Sequence, residues 1–355
     1  MGRINTGASR ILVYRLGSLG DTLLALPVFH LIRRRFPAAH VTVLTNRPVQ
    51  AKAPALADVL EGAGLIDEFI DYPVGLRDWR SLSQLRGKIA VRRFDLAVNL
   101  GAGWSFARSV RDHLFLRSCG IEQVIGTPWR RRDITCLPDA ETGGHEWEAK
   151  RLARRVLPLG DAQLQRESSW DLGISVDETI AAKALLAPHG VDSGFIAFSL
   201  GTKADVKDWT QPNWLALMRA LAARHPGIAL VGIGASDDIP RTADCLAQWE
   251  GPTANLCGAA SVRTTAAVLS SARLFIGHDS GPMHLAATVG VPCVAIFAAR
   301  NLPGQWYPRG QRNTVLYHRT ECFGCGLDVC LKYDKKCIRA IGVDDTLAAI
   351  EPYLN

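Results

Sequence analysis

The apolar positions of this chain gather in short segments that lack clean alternation with polar ones. In the first half the candidate strands cover residues 10–16, 41–45, 94–100 and 123–127, and in the second half 195–200, 228–233, 274–277 and 293–297. Segments of this length without alternation are what strands show when both faces are covered, as in parallel sheets. Between them the spacing turns helical, as at Leu215, Leu217, Met218 and Leu221. Strand and helix in alternation predict two doubly wound α/β units. The rhythm breaks across residues 158–178, with polar residues, Gly160 and Gly173, and a linker is expected there. The expected division is therefore residues 1–172, residues 173–342 and a terminal helix over 343–355. No repeat with a period of roughly 20–50 residues is evident.

Length and composition fit this division. With 355 residues, 48% of them hydrophobic, the chain exceeds the roughly 250 residues at which single cores stop growing. The first apolar run stops at Arg15 and no run reaches about 18 apolar residues, so neither a signal peptide nor a spanning helix is read and a cytoplasmic location is expected. Nine cysteines, an odd number dispersed over the chain, do not resemble a secreted disulfide scaffold. The net charge of +7 is unevenly placed. Residues 1–175 hold 25 Lys+Arg against 18 Asp+Glu, whereas residues 176–355 hold 16 of each. The first half is therefore expected to meet an anionic partner. The runs Arg33-Arg34-Arg35, Arg92-Arg93 and Arg130-Arg131-Arg132 contribute to this excess. A nucleic-acid-binding module is disfavoured, because the basic residues are not interleaved with aromatics along an element and no binding motif appears.

In open α/β sheets ligands sit beyond the carboxyl ends of the strands, so the residues following each run carry the chemistry. After the first run, RLGSLGDTLLALP places Gly17 and Gly20 in a tight loop and Asp21 at a helix start. Asp21 serves there either as a capping acid or as a functional carboxylate. The spacing does not match a dinucleotide fingerprint. In FSLGTKADVKDWTQPNW, residues 198–214, the loop carries Gly201, Thr202, Lys203 and Lys207, a set suited to phosphate. In FIGHDSGPMHLAATVGVPCVAIF, residues 275–297, a strand end delivers Asp279 while Ser280 and Gly281 open a helix whose N-terminus can hold a diphosphate. His284 in its first turn is either a packed residue or a further candidate. No Asp-x-Asp pair is present to hold a divalent ion between nucleotide phosphates.

Those residues carry a resemblance. The segments ILVYRLGSLGDTLLALPVFHLIRRRFP, KDWTQPNW and GHDSGPMHLAATVGVPCVAIF resemble, in order and spacing, the three signature blocks of glycosyltransferase family 9, the lipopolysaccharide heptosyltransferase family. The resemblance implies a GT-B architecture of two Rossmann-like domains facing across a cleft. Residues 1–172 would bind the acceptor and residues 173–342 a nucleotide sugar, ADP-heptose in the best-known members. It implies inverting transfer that requires no metal or other cofactor. By match to the family motifs Asp21 is the base, Thr202 and Lys207 contact phosphate, Ser280 and Gly281 form the helix-terminus contact, and Asp279 holds donor-sugar hydroxyls. Lys203 stands where the family often has a small polar residue, and its phosphate role follows from its charge alone. For the ribose, Asp237 and Asp238 in GIGASDD are equal candidates.

The acceptors implied are anionic, lipid-linked saccharides of the lipopolysaccharide core. The arginine runs, Arg130, Arg131 and Arg132 among them, would then dock the protein peripherally on the cytoplasmic face of the inner membrane without an inserted segment. A sugar-nucleotide epimerase of the same architecture, or a transferase using another nucleotide sugar, is the alternative. CFGCGLDVCLKYDKKC gathers Cys322, Cys325, Cys330 and Cys337, whose spacing admits a structural zinc, disulfides or reduced thiols.

Overall fold

The computed structural model describes residues 7–47, 54–101 and 105–355, and the chain divides into two compact units, residues 1–173 and 174–355. The first unit is built on β1 (Arg10–Tyr14), β2 (His40–Asn46), β3 (Glu68–Tyr72), β4 (Leu96–Asn99) and β5 (Gln123–Ile125), in the order β3-β2-β1-β4-β5. The second is built on β6 (Phe195–Ser199), β7 (Leu230–Gly232), β8 (Thr253–Asn255), β9 (Ala272–His278), β10 (Cys293–Phe297) and β11 (Thr314–Tyr317), in the order β11-β10-β9-β6-β7-β8. All neighbouring strands in both sheets run parallel.

Each candidate strand segment becomes a strand whose ends lie at most two residues from those expected. The strands that carry no such segment are β3, β8 and β11, and all lie at sheet edges. An edge strand has one neighbour and lies partly in solvent, so EFIDY, TAN and TVLY mix polar and apolar positions. The central strands are covered on both faces, as Ile11, Leu12 and Val13 illustrate at 0% exposure. In the second unit the helix Gln211–Arg224 buries Trp214, Leu217, Met218 and Leu221 against Phe198, Leu274 and Ile276. Trp214, rather than Leu215, completes that apolar stripe. The terminal helix Val343–Ile350 adds Leu347 and Ile350 to the same core.

Part of the segment expected to be a linker is packed. Trp170 is buried, stacks on Trp147 with ring centres 5.1 Å apart and donates from Nε1 to the Leu164 carbonyl. The helix Leu26–Arg35 holds the same segment, with His30 against the Asp171 carbonyl and Arg34 against Ser169 and Asp161. The chain enters each sheet at a central strand, builds outward on one side and then on the other. The reversals fall between β1 and β4 and between β6 and β9, the positions where open α/β sheets bind ligands.

Candidate functional site

In the second unit the reversal between β6 and β9 brings the second and third motifs together. Lys207 Nζ lies 2.7 Å from Asp279 Oδ2 and donates to the Asp279 carbonyl at 2.9 Å. Asn301, after β10, donates to the same Oδ2 at 2.9 Å, and Tyr317 Oη of β11 donates to the Asn301 carbonyl. Asp279 is 5% exposed, so this carboxylate is held by a cation and an amide where water scarcely reaches. An ammonium has three N–H groups and two are taken by Asp279, leaving one for another acceptor. Both side-chain contacts use Oδ2, so Oδ1 lies outside the pair.

Ser280 is the N-cap of the helix Gly281–Thr288 but makes no capping bond, and its Oγ is buried without a partner. A buried hydroxyl at the positive end of a helix is the kind of group that can meet an anion. Thr202 spends its hydroxyl on the Ala204 carbonyl at 3.3 Å, and Lys203 is exposed. Beyond β7, Asp238 Oδ2 accepts the Ala235 N–H at 2.9 Å and Asp237 is exposed. Asp238 packs so closely on the loop after β6 that a Cβ on Gly201 would lie 2.5 Å from its Oδ2, so glycine alone fits there.

The Lys207 loop is pinned by residues the sequence reading passed over. Trp209 is fully buried, gives its backbone N–H to His278 Nε2 at 3.1 Å and its indole N–H to the Ile341 carbonyl at 2.8 Å. Asp208 Oδ1 accepts from the Thr210 N–H and from Arg241; burial pushes this carboxyl up, but the arginine together with the Thr210 N–H and His278 holds it below its ordinary range. Thr210 has φ 78°, a left-handed conformation costly for a β-branched residue and kept only where the surroundings impose it. His278 accepts at Nε2, which assigns its proton to Nδ1. Burial holds the ring neutral, lowering its pKa from 6.5 to about 4, although the Asp208 carboxylate faces it along with the Arg241 and Lys207 cations.

The sign of the resulting pH effect follows. The unfolded imidazole takes a proton first, so the contribution to stability is complete above about pH 6.5 and is lost as pH falls toward 4. Thermal melts between pH 7 and 4.5 should therefore show His278→Gln losing less stability than the parent over that window, and parallel curves would refute the assignment. Glutamine offers an acceptor near the Nε2 position, so nucleotide affinity should persist in that variant. His278→Leu strands the buried Trp209 N–H, at about 1–3 kcal/mol, and should loosen the Lys207 loop.

In the first unit the loop after β1 holds Asp21 tightly. Asp21 Oδ2 accepts the Ser18 backbone N–H at 3.0 Å and the Ser18 hydroxyl at 2.9 Å, while Oδ1 lies 3.7 Å from Arg15. Arg15 also donates to the Asp21 carbonyl at 2.6 Å and to the Leu100 carbonyl at 2.8 Å. Asp21 thus closes the helix Leu19–Leu24 as a first-turn acid, yet its side chain stays 34% exposed above a buried arginine. Gly17 has φ 138°, and a Cβ there would fall 2.5 Å from the Asp21 Cβ, which explains the first glycine of the motif. Gly20 is buried within the helix. The role of Arg15 was hidden in plain view, one residue past the strand and inside the quoted motif.

His284 is 4% exposed and meets Trp306 edge to face at 6.4 Å. All nine cysteines are free thiols, so none of the candidate disulfides is formed. Among the described residues no group of three or more His, Cys, Asp or Glu side chains is placed to hold a metal ion. Cys337 is buried in the core of the second unit, where burial raises its thiol pKa, while Cys325 is exposed and Cys322 and Cys330 are half-buried. No helix among the described residues is long and apolar enough to cross a membrane.

Comparison with known proteins gives a consistent result. A family model described as glycosyltransferase family 9 (heptosyltransferase) matches residues 86–332. The chain is 25% identical over 288 residues to lipopolysaccharide heptosyltransferase 3 of Escherichia coli, covering 79% of this chain and 81% of that one. Among solved structures, the family 9 glycosyl transferase of Veillonella parvula DSM 2008 superposes with a TM-score of 0.74 at 20% identity, covering 98% of both chains. The E. coli ADP-heptose lps heptosyltransferase II gives a TM-score of 0.66 at 19% identity, covering 97% of this chain and 98% of that one.

Proposed function

Given that the chain belongs to glycosyltransferase family 9, the heptosyltransferases, we propose that it moves heptose from ADP-heptose onto an anionic, lipid-linked saccharide of the lipopolysaccharide core, with inversion and without a metal. It is a glycosyltransferase with the GT-B fold of two parallel-sheet α/β units. In this reading residues 1–172 bind the acceptor and residues 173–342 the nucleotide sugar. The protein works peripherally on the cytoplasmic face of the inner membrane.

The proposed step is a single displacement. The acceptor hydroxyl oxygen attacks the anomeric carbon, the bond from that carbon to the diphosphate oxygen breaks, and the hydroxyl proton passes to the Asp21 carboxylate. ADP leaves with the bonding electron pair. Its diphosphate charge is met by the remaining N–H of Lys207, the Ser280 hydroxyl and the N-terminal amides from Gly281 onward. Thr202 and Lys203 flank the phosphates, Asp279 accepts from heptose hydroxyls, and Asp237 or Asp238 accepts from the ribose.

One observation carries the reading: the Lys207–Asp279 pair beside a partnerless Ser280 hydroxyl at a helix start, all at the strand reversal of one sheet. A thermal-shift panel of ADP, GDP, UDP and dTDP should show ADP stabilising most. ADP-heptose alone should stay unchanged and should be consumed once acceptor is added. Epimerised nucleotide sugar formed from donor alone would favour the epimerase instead.

A further inference from the structure

In the first unit every strand runs the same way, so the residues that follow β1, β3, β4 and β5 emerge along one rim. That rim carries exposed aromatic rings. Trp79, the first residue of the helix after β3, is 81% exposed; Phe106, the first residue of the helix after β4, is 58% exposed; Trp129, in the loop after β5, is 45% exposed. Phe106 and Trp129 meet edge to face at 6.5 Å, and His113 backs Trp129 at 4.7 Å. Val74, beside Trp79 in the same stretch, is 58% exposed. At about 4.8 Å between strands, the rings span on the order of 19 Å from β3 to β5. A soluble surface rarely gathers exposed aromatics in this way without a partner for them.

The charges between the rings identify the partner. Arg77, Arg80, Arg130, Arg131 and Arg132 are exposed on the same stretches. Acids on the stretches that carry the rings are engaged elsewhere: Asp78 caps its helix through the Ser81 N–H, Asp112 pairs with Arg111 at 2.6 Å, and Asp133 pairs with Arg154. Arg77 and Arg80 flank Trp79 in sequence and Arg130, Arg131 and Arg132 follow Trp129 directly, and strand order then sets the two stretches on one rim. Amphipathic rings set among arginines match the headgroup layer of an anionic bilayer, where indole rings settle at the interface and guanidinium groups meet phosphates.

We propose that this rim is an interfacial docking surface for an anionic phospholipid bilayer, with Trp79, Phe106 and Trp129 seated among the headgroups and the flanking arginines on the lipid phosphates. The lipid-linked acceptor of the preceding section gives the contact its purpose, and the inference rests on that reading only to this extent. The rim also carries Asp21, so docking brings the proposed base to the layer from which such an acceptor projects.

The test is co-sedimentation of the full chain with vesicles of phosphatidylglycerol and phosphatidylethanolamine, set against vesicles of phosphatidylcholine. Binding is expected to the anionic vesicles only and to fall as salt rises. Trp79→Ala with Trp129→Ala should weaken it by roughly tenfold or more. Replacing Arg130, Arg131 and Arg132 by Ala should weaken it by about a hundredfold at low salt. Melting temperature, ADP affinity and turnover of a lipid-free saccharide acceptor should be unchanged in both variants. Equal binding by parent and variants, or equal binding to neutral vesicles, overturns the proposal. So does displacement of the vesicles by the lipid-free saccharide, or a dimer of the free chain that the tryptophan variant abolishes. Failure of the parent to glycosylate any acceptor overturns the transferase reading instead, and leaves the vesicle result standing.

Discussion

Asp21→Asn should leave ADP affinity near that of the parent and slow turnover by roughly a hundredfold or more, the usual weight of a lost general base. The substitution is a narrow one. Asparagine has nearly the same shape and can still offer an oxygen to the Ser18 N–H and hydroxyl, which both reach Oδ2 at about 3 Å. Its amide nitrogen would then lie toward Arg15, at the position now 3.7 Å from that guanidinium. Two donor groups would face each other there, so a small loss of stability is expected beside the large loss of rate. Separate measurement of kcat, ADP affinity and melting temperature distinguishes the two effects. Full turnover by Asp21→Asn would remove the carboxylate from the mechanism and leave it a capping residue of the helix Leu19–Leu24.

The second large effect is expected at Lys207. Lys207→Ala should weaken ADP binding by roughly ten- to a hundredfold, since hydrogen bonds to charged groups contribute about 1.5–3 kcal/mol. It should also destabilise the fold, because Asp279 at 5% exposure would keep its charge and lose its cation. Removing one member of such a buried pair costs about 3–5 kcal/mol, only partly relieved here by the Asn301 amide. Lys207→Ala combined with Asp279→Asn removes both charges, so stability should return while ADP affinity stays low. Calorimetric titration with ADP and thermal melts of the three variants give the comparison. If Lys207→Ala binds ADP like the parent, the rim of β6 and β9 is not the donor site.

The strand-end loops could be found from sequence because apolar runs followed by glycine, proline and charge betray the carboxyl ends of buried strands. The groups that hold those loops could not, because their relation depends on strand order. Asn301 reaches Asp279 only because β10 lies beside β9, and His278 meets Trp209 only because β9 lies beside β6. His278 stood within the quoted GHDSG, where attention fell on the aspartate that follows it. The spacing of the cysteine segment does not reveal burial: Cys337 lies in the hydrophobic core of the second unit while Cys325 is exposed. The edge strands β3, β8 and β11 escaped notice because solvent on one side relaxes the demand for continuous apolar sequence.

The indole of Trp209 binds the Ile341 carbonyl, and Leu347 and Ile350 lie in the same core as that ring. The final turns of the polypeptide thereby act as a brace for the lysine two residues before Trp209. A chain cut short ahead of residue 341 would lose far more than a peripheral helix: the loop bearing the cation would be left without its backstop, and the grip on the nucleotide would slacken at a distance from the cut.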